Sequence, residues 1–292
     1  MAAIQQILLS YPGFVGPLDA YTTGLGGAYS VARRLLTSYT GPLIRVRRDS
    51  DGTEADIGYD ADGLLDEAAL LAFVGAGSGY LVTIYDQSGL GRHVTCSTSA
   101  NQIRVVNAGV VEVVGTQSRL CGYVVSTNQG PYVSDTFTAN ASATISAVSS
   151  FFMSASTAVS APRYLSLTKD NNQDSWATAT DIGVFARYYN LAGLATMKDG
   201  DFPVNLSVSL GALHSAYFRL TGAQMELNAG GTSATAAFST TLGFNRVLMC
   251  GISANLANSE AGDRQLEHVI WQTDIGATAA AAIRAEQEAF YA

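Results

Sequence analysis

From about residue 101 to residue 272 the chain is a succession of short β-rich runs separated by Gly, Asn, Ser and Thr. "IRVVN", "VVEVV", "ATISAVSSFFM", "RYLSL", "VNLSVSL", "SAYFRL", "AQMELN", "RVLMCGI" and "LEHVIW" follow one another at nearly even spacing. Runs of this length, rich in Val, Ile, Tyr and Phe and punctuated by turn formers, predict a β-sandwich or jelly roll rather than alternating βαβ units. "NAGGTS" between two such runs predicts a hairpin turn. At 292 residues, with no linker, repeat or low-complexity tract, one domain spanning 1–292 is the economical reading.

The first hundred residues have a different texture. In "AYSVARRLLTSYTGP", Tyr29, Ala32, Leu36 and Tyr39 recur at helical spacing, which predicts a helix stopped by Gly41-Pro42. "LIRVRRDSDGTEADIGY" predicts a strand, a turn at Asp51-Gly52 and a returning strand. "LLDEAALLAFVGAG" predicts a short helix with Asp66 near its start and Gly75 and Gly77 beyond its end. "GYLVTIYDQSG" reads as a strand, with Thr83 and Tyr85 on its core face. The C-terminal "TAAAAIRAEQEAFYA" predicts an amphipathic helix with Ala279, Ile283 and Phe290 inward. The fold class expected is therefore mainly β, a single β-sandwich or jelly roll with short N-terminal helices and a C-terminal amphipathic helix. Residues 1–26 are a candidate docking or covering segment.

Composition narrows the function classes. Apolar residues make up 48% of the chain and charged residues 14%, with a formal charge of −8. That balance opposes a nucleic-acid partner, since phosphate binding rests on Lys and Arg displacing counterions. No apolar run is long enough to span a membrane, and the first residues lack the basic and apolar regions of a secretory leader. Cys96, Cys121 and Cys250 form no CxxC pair and read as buried thiols, with one disulfide left open.

Motifs that carry chemistry are scarce. "GAGSGYLV" precedes a strand, whereas a phosphate loop follows one. His93, His214 and His268 lack metal-ligand spacing, and no Gly-x-Ser-x-Gly is present. No cofactor is expected, with a calcium loop as the weak exception. Asp170, Asn172, Asp174 and Asp181 occupy its first, third, fifth and twelfth places, although Ser175 stands where the loop needs Gly. Tyr132, Trp176, Tyr188 and Tyr189 are candidate sugar-stacking aromatics, and Trp271 reads as core. "TIYDQSGLGRHVT" concentrates an acid, an amide, an Arg and a His in one loop. Asp86, Gln87, Ser88 and Gly89 are read there as a structural turn rather than a reaction centre.

The succession "AYSVARRLLTSYTGPLIRVRRDSDGTEADIG" and then "LVTIYDQSGLGRHVT" resembles the N-terminal part of the α-L-arabinofuranosidase B catalytic domain. "RVLMCGISANLANSEAGDRQLEHVIWQTDIG" is placed like that family's C-terminal strands and glycine-rich loop. The resemblance implies a concanavalin-like, laminin-G-like sandwich. It also implies a catalytic Glu near "IGVFARYYN", where Tyr188 and Tyr189 stand, and a catalytic Asp in "GISANLANS", where Ser253, Ala254 and Asn255 stand. With neither carboxylate at those places, the chain is expected to be a non-enzyme. "RVRRDSD…DIG", "LLAFVGAG" and "YDQSG.GR" are further similar to proteins of tailed bacteriophages. That likeness implies a virion structural protein on the particle exterior: a tail fibre, spike, head decoration or receptor-binding protein, assembled in the host cytoplasm. The implied partners are other virion proteins, a host-surface glycan and further copies of the chain. The alternative is an arabinofuranosidase-like glycoside hydrolase acting on surface polysaccharide.

Overall fold

The computed structural model describes residues 13–136, 140–142, 144–155, 162–168, 182–187, 193–198, 201–238, 242–253, 256–257 and 259–292. Its strands form two antiparallel layers. The first runs Leu25–Ser30, Arg264–Trp271, Thr144–Met153, Ala212–Thr221, Gln224–Ala229 and Thr232–Ala237. The second runs Glu54–Ile57, Ile44–Arg48, Gly79–Ile84, Val94–Thr95, Tyr132–Ser134, Arg246–Met249, Arg163–Thr168, Ile182–Arg187, Gly193–Lys198 and Asp201–Ser207. Arg104–Asn107 and Gly122–Tyr123 bridge the two layers at one side. The expected sandwich is the observed one.

Period-two alternation explains why both faces of the first layer's central strands are buried. Along Thr144–Met153, Ile145, Ala147, Phe151 and Met153 enter the main core between the layers. The intervening Val148 joins a second apolar cluster with Leu18, Leu35, Leu36, Val269, Trp271, Ala280 and Ile283. That cluster lies under the C-terminal helix (Ala277–Tyr291), whose buried residues are Ala280, Ile283, Gln287 and Tyr291. Each helical side chain of this stripe follows the last by three or four positions, so one face is continuous. The inward face is rotated from the expected one: Phe290 lies at its margin, under the guanidinium groups of Arg33 and Arg119. Within the candidate docking or covering segment, Leu18 is buried in the second cluster and the Tyr21 carbonyl accepts from Trp271 Nε1 at 2.7 Å. These residues cover the outer face of the first layer.

Local signals in the N-terminal third are realised where short-range chemistry decides them. Ile44–Arg48 pairs with Glu54–Ile57 around the turn, and Arg48 is tied to Asp51. The short helix Glu67–Val74 is capped by the Asp66 carboxylate, which accepts from Ala69 N at 2.9 Å. Gly230 and Gly231, at φ 56° and 81°, form the two-residue hairpin between Gln224–Ala229 and Thr232–Ala237, where positive φ matches the strand twist.

The helix expected over Tyr29 to Tyr39 does not form. Leu25–Ser30 is a strand paired along Arg264–Trp271, and the chain then turns without regular structure through Leu36. Tertiary demand overrides the helical spacing. Tyr29 and Val31 fill the main core, while Ala28, Leu35 and Leu36 fill the second one. A single helix face could not serve clusters on opposite sides of a sheet. In the strand Gly79–Ile84 it is Leu81 and Ile84 that enter the main core. Thr83 and Tyr85 instead bond outward, to Thr95 and Asp56.

Candidate functional site

The "YDQSGLGRHV" loop holds a concentration of reactive residue types, and the backbone uses all of them. The buried Asp86 carboxylate accepts from Ala28 N, Ser88 N, Ser88 Oγ and Arg92 N at 2.8–3.0 Å. His93 Nδ1 accepts from Asp86 N at 3.0 Å. Gln87 is buried, accepting from Leu35 N at 2.7 Å and donating to the Arg33 carbonyl at 3.0 Å. Arg92 donates to the Gly26 carbonyl at 2.7 Å, and Gly89 sits at φ 86°. The loop pins the Leu25–Ser30 strand and has no free acid, base or nucleophile to offer. Asp86→Ala is therefore expected to lower stability by about 2 to 3 kcal/mol, because it strands the buried Ala28 N–H as well as two turn bonds. Ser88→Ala should cost about 1 kcal/mol. Equal melting temperatures for Asp86→Ala and the unmutated protein would refute this account.

A cavity of about 510 Å³ opens where three distant segments meet. Thr95 to Thr98 and Asn101 come from the stretch leaving the Val94–Thr95 strand, Gly130, Pro131, Val133, Ser134 and Asp135 from the loop and strand around Tyr132, and Arg246 from the start of Arg246–Met249. Sheet pairing brings them together, since Tyr132–Ser134 lies between Val94–Thr95 and Arg246–Met249. The floor is rigid. Gly130, at φ 104°, lies against Cys250, and a Cβ added there would come within 2.8 Å of Cys250 Cβ and of its carbonyl oxygen. The Gly130 N–H donates to the Asn101 carbonyl at 2.8 Å. Arg246 Nη2 donates to Thr136 Oγ1 at 2.6 Å, and its Nε finds no partner among the described residues. Hydroxyls, one amide, one exposed carboxylate and one cation line this space, which suits a polyhydroxylated ligand better than an apolar one.

Two further carboxylates lie just before the Arg264–Trp271 strand, and both are fully buried. Asp263 accepts from Ser154 N at 2.9 Å, Tyr164 Oη at 3.2 Å and Glu260 N at 3.1 Å. Glu260 shares the turn. The sequence signal for the pair was "SEAGDR", two acids around a glycine directly before an apolar strand. For the cavity the signal was "TCSTSAN", a run of small polar residues after a strand. Neither pattern matches a motif with a known chemical role.

The sequence-based candidates fare unevenly. Tyr132 is fully buried: its hydroxyl accepts from Ile103 N at 2.9 Å and donates to the Leu81 carbonyl at 2.7 Å. Burial raises its phenol pKa well above the ordinary value. The ring has no face for a sugar and is part of the core, because alternation along its strand turns Val133 outward instead. Trp176, Tyr188, Tyr189, Asp170, Asn172, Asp174 and Asp181 lie outside the described residues, as do Ala254 and Asn255. Among the described residues no group of three or more metal-binding side chains forms. The three cysteines are free and buried. Burial pushes the Cys96 thiol to about 11 and Cys121 to about 12, so neither is a thiolate at neutral pH.

Comparison with known proteins places this geometry in context. A family model described as Alpha-L-arabinofuranosidase B, catalytic, matches residues 17–160. A probable α-L-arabinofuranosidase B of Aspergillus fumigatus is 43% identical over 84 residues, 27% of this chain and 17% of that protein. An α-L-arabinofuranosidase of Hypocrea jecorina is 45% identical over 84 residues, again 27% and 17%. The matched segment thus spans about a sixth of these relatives' length. Among solved structures, an arabinofuranosidase complexed with arabinofuranosyl-α-1,2-xylobiose superposes with a TM-score of 0.69 at 16% identity, covering 93% of this chain and 65% of that one. A mutant α-L-arabinofuranosidase soaked with 4-nitrophenyl α-L-arabinofuranoside gives 0.73 at 16% identity, covering 94% and 64%. The sandwich fold is shared with these enzymes. The expectation of a bacteriophage virion protein, whether tail fibre, spike or head decoration, and of a non-enzyme, is overturned by these matches. They fall on arabinofuranosidases, and they give the likeness to virion proteins no support.

Proposed function

We propose that this chain is an arabinofuranosidase-like glycoside hydrolase that acts on a terminal sugar of a polysaccharide. The observation that carries the reading is the match of residues 17–160 to the catalytic family, with 43–45% identity to named arabinofuranosidases over the best-matched stretch. The polar cavity beside Tyr132–Ser134 supports it, since hydroxyl, amide, carboxylate and guanidinium groups converge there. Glycoside hydrolysis needs two carboxyl groups flanking the scissile bond, one acting as acid and the other as nucleophile or base. Tyr188, Tyr189, Ser253, Ala254 and Asn255 cannot supply them, so the pair has to come from other acids. Asp135 faces the cavity and is the first candidate. Asp170, Asp174 and Asp181 follow, and then Glu260 and Asp263, although Asp263 already accepts from three donors.

Purified protein should release nitrophenol from 4-nitrophenyl α-L-arabinofuranoside. Asp135→Asn should lower kcat by about 10² or more without lowering the melting temperature. Absence of turnover by the unmutated protein would overturn the hydrolase reading. Full activity in Asp135→Asn would move the acid–base role to one of the other named carboxylates, each testable by the same amide substitution.

A further inference from the structure

A second cavity, of about 400 Å³, lies on the other side of the short 3-10 turn Ser99–Asn101. Its lining is Arg47, Asp49, Tyr80, Ser99, Ala100, Val125 and Gln129. The two cavities share the same wall. Thr98 and Asn101 face the first while Ser99 and Ala100 face the second, and Gly130 and Gln129 divide in the same way. The wall is held in place by side-chain amides. Gln102 Oε1 accepts from Arg47 Nε at 2.8 Å, Gln102 Nε2 donates to the Cys96 carbonyl at 3.0 Å, and Gln129 Nε2 donates to the Gln102 carbonyl at 3.1 Å. Gln129 Oε1 accepts from Val125 N and Ser126 N at 2.6 and 3.1 Å. These bonds fix the spacing of the two hollows before any ligand arrives, which lowers the ordering cost of binding across both.

The second cavity has a different character from the first. It offers an aromatic ring, Tyr80, with the Arg47 guanidinium 5.1 Å from its centroid. It also offers the exposed apolar Val125, at 41% exposure, beside the carboxylate of Asp49 and the hydroxyl of Ser99. Apolar and planar groups edged by polar ones match the two-sided nature of a pyranose or furanose ring, whose C–H faces are apolar and whose rim is hydroxylated. We infer that this cavity is a second sugar subsite, so that a glycan chain crosses the Ser99–Asn101 turn with neighbouring units in the two hollows. The inference rests on the glycan-directed reading of the first cavity and adds to it the place where the next sugar units bind. A chain spanning both hollows gains its second set of contacts without a second loss of translational freedom, so a longer ligand binds tighter than a single sugar.

Calorimetric titration of the Asp135→Asn protein, in which the proposed hydrolysis is blocked, with arabinofuranosyl-α-1,2-xylobiose and with L-arabinose tests this. The trisaccharide is expected to bind at least about ten-fold tighter than the monosaccharide. Tyr80→Ala should bring the two affinities to within about two-fold of each other. Ala100→Trp, on an exposed turn where folding is not at risk, should do the same by filling the hollow. Equal affinities in the Asp135→Asn protein would overturn the subsite, as would an advantage that survives the addition of Ala100→Trp. Because binding is the readout, a protein that prefers the trisaccharide but releases no nitrophenol would retain the subsite and lose only the hydrolase reading. Failure to bind either sugar would overturn the subsite, while nitrophenol release alone decides the hydrolase reading.

Discussion

Arg33→Met is expected to lower the free energy of unfolding by about 3 to 5 kcal/mol, the loss typical of breaking a buried ion pair from one side. Arg33 is 6% exposed and Glu267 1%. The guanidinium donates to both Glu267 oxygens, from Nε at 2.8 Å and Nη2 at 3.1 Å, and to both Glu286 oxygens at 2.6 and 2.7 Å. Burial opposes its charge, yet the field of Glu267 and the bonds from both carboxylates outweigh that and hold its pKa above the ordinary value. Removing the guanidinium leaves Glu267 buried with Tyr291 Oη at 3.4 Å and without its cation. It also removes the clamp by which the stretch after Leu25–Ser30 holds the Arg264–Trp271 strand and the C-terminal helix together. Glu286→Ala should cost at most about 1 kcal/mol, since that side chain is 42% exposed and water compensates for it. Arg33→Met combined with Glu267→Leu should recover part of the loss, because an apolar pair replaces a desolvated one. Urea denaturation of the three variants decides this. A cost for Arg33→Met no larger than that for Glu286→Ala would contradict the clamp.

The second large effect is on acid stability. His268 is 1% exposed, on the inner face of the first layer, with Nδ1 2.9 Å from Ser149 Oγ and Nε2 2.8 Å from Gln265 Oε1. Desolvation lowers its pKa from 6.5 to about 3, so the folded ring is neutral at all ordinary pH values. Below about 6.5 the unfolded chain binds a proton at this position and the folded chain does not. Stability is therefore complete above that pH and is lost as pH falls toward about 3. The slope approaches about 1.4 kcal/mol per pH unit. Between pH 6.5 and 5 the expected loss is about 2 kcal/mol. Burial lowers the His214 pKa as well, with the same sign. Asp19, Asp56 and Asp274, whose carboxyls are held below the ordinary value, act only at lower pH, where the carboxylates begin to protonate. His268→Gln should thus flatten the dependence between pH 6.5 and 5 without abolishing it. A slope unchanged by that substitution would show that the ring is not the group responsible.

Most of the architecture is legible in local patterns. The Ile44–Arg48 and Glu54–Ile57 hairpin, the Asp66 cap and the Gly230-Gly231 turn each depend on residues within a few positions of one another. The expected helix over Tyr29 to Tyr39 has helical spacing only because two cores on opposite sides of a sheet claim alternate parts of it. The candidate site was far less legible. Its walls come from residues near 95–101, 130–135 and 246, and no local pattern signals that these segments are neighbours. Tyr132 is a chemically reasonable sugar platform by residue type, but alternation along a strand between two others turns its ring into the core.

By itself, the sequence determined where most strands and turns fall and that the strands build a sandwich rather than alternating βαβ units, because side-chain period and positive-φ requirements act over short distances. Only the tertiary structure decided which polar residues are consumed inside the protein and which face a ligand. Asp86, Gln87, His93, Glu267 and His268 are held by buried partners, whereas Asp135, Arg246 and the Ser99–Asn101 wall face open hollows. Burial is a property of packing between segments distant in the chain. For that reason the "YDQSGLGRHV" cluster became a strand clamp, while the small polar run after it became the boundary of two cavities.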